Sequence, residues 1–167
     1  MRLQVLAALF ALCVLAAAAQ AATVHVDHAG GGDYLTIQEG VDAATVGDTV
    51  LVAPGTYTGA GNRNITFAGK EVHLLARDGA EATVIDCEQQ DRAFVFMGAE
   101  TPDAIVEGFT ITRGLAPVGD GGQRWGGAML ISNSMPTILN CTFADNSAEF
   151  GGALYCGISA LMEIVFC

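Results

Sequence analysis

The chain has 167 residues, of which 51% are hydrophobic and 15% charged, and its formal net charge is -11. The length suits one domain, and the acidic balance excludes a nucleic-acid binder held by a basic face, since phosphate recognition needs clustered Lys and Arg. The high apolar content argues against an acidic disordered tail. The 21 glycines all lie at or after Gly30 and indicate many tight turns in the folded part.

The first segment, residues 1–21, has the pattern of a secretory signal peptide. Arg2 precedes an unbroken apolar run from Val5 to Ala19, and small residues stand at Ala19 and Ala21. The run is short for a membrane span, which needs about 20 residues. We therefore predict bacterial Sec-type export, cleavage after Ala21 and a secreted or outer-surface domain over residues 22–167, with no transmembrane segment.

One helix is predicted in this domain. Thr36 and Glu39 have the spacing of a capping box, and Ile37, Val41 and Ala44 lie on one helical face. The rest of the chain alternates with a period of two between Gly, Pro, Asp and Asn residues. The predicted strands are 24–27, 49–53, 65–67, 72–77, 83–87, 92–97 and 104–112.

An internal repeat follows. Gly126–Ile131 recurs as Gly151–Cys156 after 25 residues, and Ile138–Cys141 recurs as Ile164–Cys167 after 26. Gly108–Ile111 recurs as Asn140–Phe143 after 32 residues. Repeats of this length indicate a solenoid, and units made of strands alone predict an all-β parallel β-helix. The predicted helix would cover its first rung.

The end of the sequence and the reactive side chains add further expectations. Ile164–Cys167 begins a fresh strand, so we expect further rungs or C-terminal domains beyond Cys167. Export permits disulfides, but we favour four small buried thiols, with Cys141 and Cys167 stacked and unbonded. The spacings of these cysteines match no zinc pattern, and the three histidines are scattered and expected to be solvated. No metal and no cofactor are predicted.

The segments Gly32–Glu39 and Gly47–Tyr57 resemble the opening of pectin-lyase-like right-handed parallel β-helix proteins. The units Phe143–Asn146 and Gly151–Leu154 resemble the repeats of chlamydial polymorphic outer-membrane proteins. The resemblance implies a right-handed parallel β-helix with an N-terminal capping α-helix. Because these motifs mark rungs and turns, they imply little about activity.

Relatives of this kind include polysaccharide lyases and esterases, and their catalytic motifs are missing here. The rung Gly108–Thr112 resembles the Gly-Phe-x-x-Gln rung of pectin methylesterases but has no Gln, and no Asp-Phe-x-Phe-Gly occurs. The chain has no Asp-Asp or Asp-x-Asp pair of the kind that binds calcium in pectate lyases. Carboxylates from different rungs converging beside Arg92 or Arg113 would favour an enzyme.

A segment that breaks the rung pattern, Gly114–Trp125, suggests a binding site. Alternation places Thr110, Thr112 and Thr142 on the outer face of the rungs, where hydroxyls suit an extended polymer. The tryptophan could stack on sugar C–H groups, and the arginines could hold an acidic sugar. The predicted ligand-binding residues are Thr110, Thr112, Arg113, Asp120, Arg124, Trp125 and Thr142.

These observations predict a non-enzymatic surface module that binds polysaccharide or another cell-surface glycan, and no nucleic acid. The alternative is a polysaccharide lyase or carbohydrate esterase, similar to pectate lyase or pectinesterase, whose catalytic rungs are missing or unrecognised.

Overall fold

The computed structural model describes residues 20–119, 122–165 and 167. The predicted signal peptide lies outside these residues apart from Gln20 and Ala21. The described chain is mostly β and contains one helix, α1 (Ile37–Ala43). Its strands are β1 (Thr23–Val26), β2 (Thr49–Val52), β3 (Gly55–Tyr57), β4 (His73–Ala76), β5 (Thr83–Asp86), β6 (Phe94–Phe96), β7 (Ile105–Glu107), β8 (Thr110–Thr112), β9 (Met129–Ile131), β10 (Thr137–Leu139), β11 (Thr142–Ala144), β12 (Leu154–Cys156) and β13 (Glu163–Val165). No helix in this part of the chain has the length and apolar content to cross a membrane.

The strands form three parallel sheets. The first sheet has the order β1-β2-β4-β7-β10-β13, the second β3-β5-β8-β11, and the third β6-β9-β12. From β4 onward the chain enters the first, second and third sheets in that order, and then repeats the cycle. We call β4–β6 unit 2, β7–β9 unit 3 and β10–β12 unit 4. This recurrence is compatible with a parallel β-helix.

The pairing register agrees with the repeats in the sequence. The 25-residue repeat places Leu154 beside Met129 in the third sheet. The 26-residue repeat places Ile164 beside Ile138 in the first sheet, and the 32-residue repeat places Thr142 beside Thr110 in the second. Each internal repeat therefore corresponds to strands that are neighbours in one sheet.

Stacked apolar side chains form the core. In the first sheet Val50, Leu74, Val106 and Ile138 occupy equivalent positions, and all four are fully buried. In the second sheet Tyr57, Ile85, Ile111 and Phe143 are aligned in the same way. Burying each such side chain contributes about 1.5–3 kcal/mol. Because no unit can bury its apolar side chains alone, stability comes from stacking.

The helix begins and packs as predicted. The Thr36 hydroxyl accepts from the amide of Glu39, and the Glu39 carboxylate accepts from the amide of Thr36. Ile37, Val41 and Ala44 are buried in the core. Gly40 allows a close approach to the first sheet, since a Cβ there would stand 2.4 Å from Cγ2 of Val26. The helix therefore shields the first strands of the core.

Two predicted strands differ from the structure. The single strand predicted over residues 104–112 is two strands, β7 and β8, which belong to different sheets. Gly108, with φ of +79°, turns the chain between them. The strand predicted over residues 65–67 is only an isolated bridge between Ile65 and Phe94. Left-handed residues at Asn64 and Ala68 (φ 51° and 52°) confine the extended backbone to a few positions there.

Candidate functional surface

The three predicted threonines lie together on the second sheet. Thr110 and Thr142 are paired in register, and Thr112 follows on β8. The intervening Ile111 is fully buried, so the threonines point away from the core. The Thr110 hydroxyl donates to the carbonyl oxygen of Ala80 at 2.7 Å. Of the three, Thr142 is the most exposed.

Arg113 extends from the end of β8 to the preceding unit. Its guanidinium donates to both carboxylate oxygens of Asp86, with Nε at 2.7 Å from Oδ1. The hydrogen bond from Arg113 lowers the pKa of Asp86, and the same contact raises the pKa of Arg113. Arg113 is therefore engaged in an internal ion pair, which competes with the predicted contact to an acidic sugar.

Arg124 binds its own loop. Its Nη1 donates to the carbonyl oxygen of Ala116 at 2.7 Å, and its backbone amide donates to the Glu149 carboxylate at 3.0 Å. The loop also has a turn in which the Gly119 amide donates to the carbonyl of Gln123. The side chain of Arg124 thus connects the end of the segment Gly114–Trp125 to Ala116 near its start. Asp120, another predicted site residue, lies outside the described residues.

Trp125 lies beside the third sheet. Its backbone forms a parallel bridge with Phe150 of the next unit, and its indole faces the ring of Tyr155. The ring centroids are 6.2 Å apart and the planes are tilted by 39°. The chain then turns at Gly126, where φ is +64° and a Cβ would stand 2.1 Å from the carbonyl oxygen of Met129. Glycine at this point of the repeat allows the tight turn that connects Trp125 to β9.

Around the indole the outer face of the third sheet is concave and mostly apolar. Leu130 and Tyr155 are paired in register, and they alternate with the buried residues Met129 and Ile131. The depression encloses about 280 Å³. We call it the aromatic surface, and it is lined by Met97, Trp125, Leu130, Ser132, Tyr155, Gly157 and Ile158.

Of the residues predicted from the sequence, only Trp125 lines the aromatic surface, and Tyr155 was not among them. The signal for Tyr155 was present in the repeat, because Gly126–Ile131 and Gly151–Cys156 align Leu130 with Tyr155. Strand alternation then places both opposite the core-facing positions.

Two other depressions have different linings. One encloses about 330 Å³ and is mainly apolar, with Pro102, Met135 and Leu161 in its wall. The second encloses about 290 Å³ and is polar, with Arg63, Asn64 and Asp91. Arg63 pairs with Glu88 at 3.3 Å, and Asn64 donates to Asp91 at 2.5 Å. Neither contains an aromatic ring.

Most carboxylates of the described residues are engaged in separate contacts. Arg113 pairs with Asp86, and Arg92 is buried, which lowers the pKa of its guanidinium. No ion pair joins Arg92 to a carboxylate in the part of the chain that the structure describes. Among the same residues no group of three or more His, Cys, Asp or Glu side chains is arranged to hold a metal ion. The convergence expected of an enzyme is therefore not seen there.

One of the three histidines, His73, contacts a carboxylate of a neighbouring strand. Nε2 of His73 is 2.9 Å from a carboxylate oxygen of Glu107, and the other oxygen of Glu107 accepts from Asn140 at 3.2 Å. This network joins three consecutive strands of the first sheet, β4, β7 and the end of β10. His73 therefore lies on the outward face of β4, as expected, and its partly exposed ring also contacts a carboxylate of the next unit.

The cysteines divide into two pairs. Cys87 and Cys141 are buried, and burial raises the pKa of each thiol to about 12. Cys156 and Cys167 are exposed, so the expectation of four buried thiols is wrong for these two. All four are free thiols. The Cys141 amide donates to the Cys167 sulfur at 3.2 Å, which agrees with stacking of the two residues without a disulfide.

Comparison of the chain with protein-family models, with curated proteins and with solved structures finds no match in any of the three.

Proposed function

We propose that this protein is an exported parallel β-helix of the pectin-lyase-like type that binds glycans through its aromatic surface without catalysing a reaction. The fold part of the proposal is supported by the fixed order in which the chain enters the three sheets. It is also supported by the agreement between the sequence repeats and the strand register. The signal-peptide pattern of residues 1–21 supports export to the cell exterior or outer surface.

The observation that carries the binding function is the position of Trp125 and Tyr155. The two rings lie on successive units, outside the core, and line one concave surface. Aromatic rings present large, rigid apolar faces at low entropic cost, which suits stacking on the C–H face of a sugar. Ser132 and Tyr155 add hydroxyl groups that can hydrogen-bond to sugar hydroxyls.

Binding is favoured over catalysis because most of the described carboxylates are engaged in structural contacts. Asp86 holds Arg113, Glu107 holds His73, and Glu100 is buried against backbone amides. A general acid or base needs a carboxyl within reach of a substrate proton. The aromatic surface itself has no carboxyl in its lining.

The threonine face of the second sheet is a second part of the proposal. Thr112 and Thr142 could extend the contact to a long polymer, while Thr110 already bonds to Ala80. We assign the arginines Arg113 and Arg124 a supporting role, since each already binds a protein oxygen.

The test is a glycan-binding measurement on residues 22–167 with two single variants, Trp125→Ala and Tyr155→Ala. Each should weaken binding about tenfold, which corresponds to about 1.4 kcal/mol, a magnitude expected for an aromatic contact. Tyr34→Ala is the matched control. Tyr34 is an exposed tyrosine whose backbone pairs with β1, and it does not line the aromatic surface.

Circular dichroism and thermal unfolding would establish that all variants keep the parent fold. Unchanged affinity in both Trp125→Ala and Tyr155→Ala, or no glycan bound by the parent chain, would overturn the proposal.

A further inference from the structure

The charges around the aromatic surface determine whether it can bind neutral or acidic glycans. We infer that its ligand is an uncharged, extended polysaccharide of β-linked pyranoses and not an acidic one; this inference rests on the proposed function. The side chains that line the surface are aromatic, aliphatic, thioether or hydroxyl groups, and none carries a formal charge. An acidic sugar placed there would lose hydration of its carboxylate without gaining a cationic partner.

The cationic side chains that could serve an acidic sugar are used elsewhere. Five of the six Lys and Arg residues in the described chain bind protein oxygen atoms, and the sixth, Arg92, is buried. Arg124 is adjacent to Trp125 in sequence, but its guanidinium binds the carbonyl of Ala116. Releasing it for a ligand would leave that contact unmade, so part of the gain would be lost.

The local and global fields are also unfavourable to an anion. The Glu149 carboxylate accepts from the backbone amide of Arg124, so a negative charge lies close to the residue that precedes Trp125. The whole chain carries a formal net charge of -11. A polyanion is therefore repelled during approach and finds no compensating positive site on arrival.

A neutral pyranose chain fits the same surface by its chemistry. Sugars whose hydroxyls are equatorial present flat faces of axial C–H bonds, which can stack on Trp125 and Tyr155. Their equatorial hydroxyls point outward around the ring and can hydrogen-bond to Ser132 and to the Tyr155 hydroxyl, since both residues belong to the same lining. Since the two rings belong to successive units about 4.8 Å apart, a chain crossing the units can contact both.

The experiment compares two hexasaccharides of equal length by isothermal titration calorimetry on residues 22–167. The probes are the neutral β-1,4-linked glucose hexamer and the acidic galacturonate hexamer, each at 20 mM and 300 mM NaCl. We expect the neutral hexamer to bind at least tenfold more tightly at low salt. Its affinity should change less than twofold between the two salt concentrations, since no charge pair contributes.

The outcomes separate the two proposals. Tighter binding of the galacturonate, or binding that weakens steeply with salt, would overturn the inference and leave glycan binding standing. If neither hexamer binds, both the inference and the proposed glycan binding are overturned. Concentration-dependent dimerisation that Trp125→Ala abolishes would identify a second copy of the chain as the occupant and overturn both. Loss of neutral-hexamer binding in Trp125→Ala but not in Tyr34→Ala would support both.

Discussion

The guanidinium of Arg113 binds the carboxylate of Asp86 across the boundary between units 2 and 3. Its two nitrogens meet the two carboxylate oxygens, and Asp86 also accepts from the amide of Glu88 at 2.9 Å. Arg113 and Glu88 both have left-handed backbone, with φ of 53° and 56°. The ion pair therefore joins two successive turns at the points where the chain leaves the second sheet.

This pair predicts a pH dependence of stability. The pKa of Asp86 is lowered in the folded state, so its stabilisation is present above the unfolded pKa of about 3.9 and is lost as the pH falls through the lower folded value. Asp86→Asn should be less stable than the parent at pH 7, and the difference should vanish toward pH 2. Urea unfolding at several pH values measures this.

Asp78→Asn is the control for Asp86→Asn. Asp78 pairs with the adjacent Arg77, and both side chains are about half exposed, so the pair should contribute little. A parent-to-Asp86→Asn difference that grows on acidification would contradict the assignment.

Replacement by alanine at two glycines in equivalent repeat positions should change the free energy of unfolding by different amounts. A Cβ at Gly127 would stand 2.0 Å from the carbonyl oxygen of Gly152, on the next unit, so Gly127→Ala should destabilise the fold by about 1–3 kcal/mol. A Cβ at Gly152 meets only the Asn146 carbonyl at 3.5 Å, so Gly152→Ala should change stability by less than about 1 kcal/mol. Equal losses in chemical denaturation would refute the stacking of these two turns.

Thr83→Val should stabilise the protein. The Thr83 side chain is fully buried, and its hydroxyl has no hydrogen-bond partner in the described structure. Replacing it by a methyl group of the same shape removes an unpaired polar group, with a gain of about 1 kcal/mol. Thr137→Val is the matched control, because the Thr137 hydroxyl donates to the carbonyl of Pro102 at 2.7 Å and its loss should destabilise. Thermal unfolding of both variants distinguishes the two signs.

Glu100→Gln should weaken the turns that lead from the third sheet to the first. The Glu100 carboxylate is 1% exposed and accepts from the amides of Gly69 and Gly98 and from the Ser134 hydroxyl. An amide nitrogen in place of one oxygen would face a donor, with an expected loss of about 2–3 kcal/mol. Ser134→Ala removes only one of the three contacts and should lose less. A Glu100→Gln protein as stable as the parent would contradict the role of the carboxylate.

The thiols of the chain should react in two groups. In a chain that begins at residue 22, Cys156 and Cys167 are exposed and should be labelled quickly by a thiol reagent at pH 8. Cys87 and Cys141 should be labelled only on unfolding, because burial raises the pKa of each to about 12 and restricts access. Mass spectrometry of labelled peptides identifies the sites. Rapid labelling of Cys141 in the native protein would show that this part of the core opens.

The sequence by itself determined the features that depend on local spacing and on repetition. The capping box of Thr36 and Glu39 was predictable because both partners lie within one helical turn. The pairing of Leu154 with Met129 was predictable because equivalent positions of a repeat become neighbours when units stack. The inward position of Ile111 followed from strand alternation alone.

Only the tertiary structure decided which side chains meet across units. From the sequence, Arg113 could contact either a ligand or a carboxylate of the protein. It binds Asp86, which lies 27 residues earlier, because two particular turns stack on each other. Trp125 was predicted to border the threonines of the second sheet, and the structure pairs its backbone with Phe150 and its indole with Tyr155 of the third sheet. Local propensity carries no information on these contacts, because they are set by which strands become neighbours and by the angle at which each turn leaves its sheet.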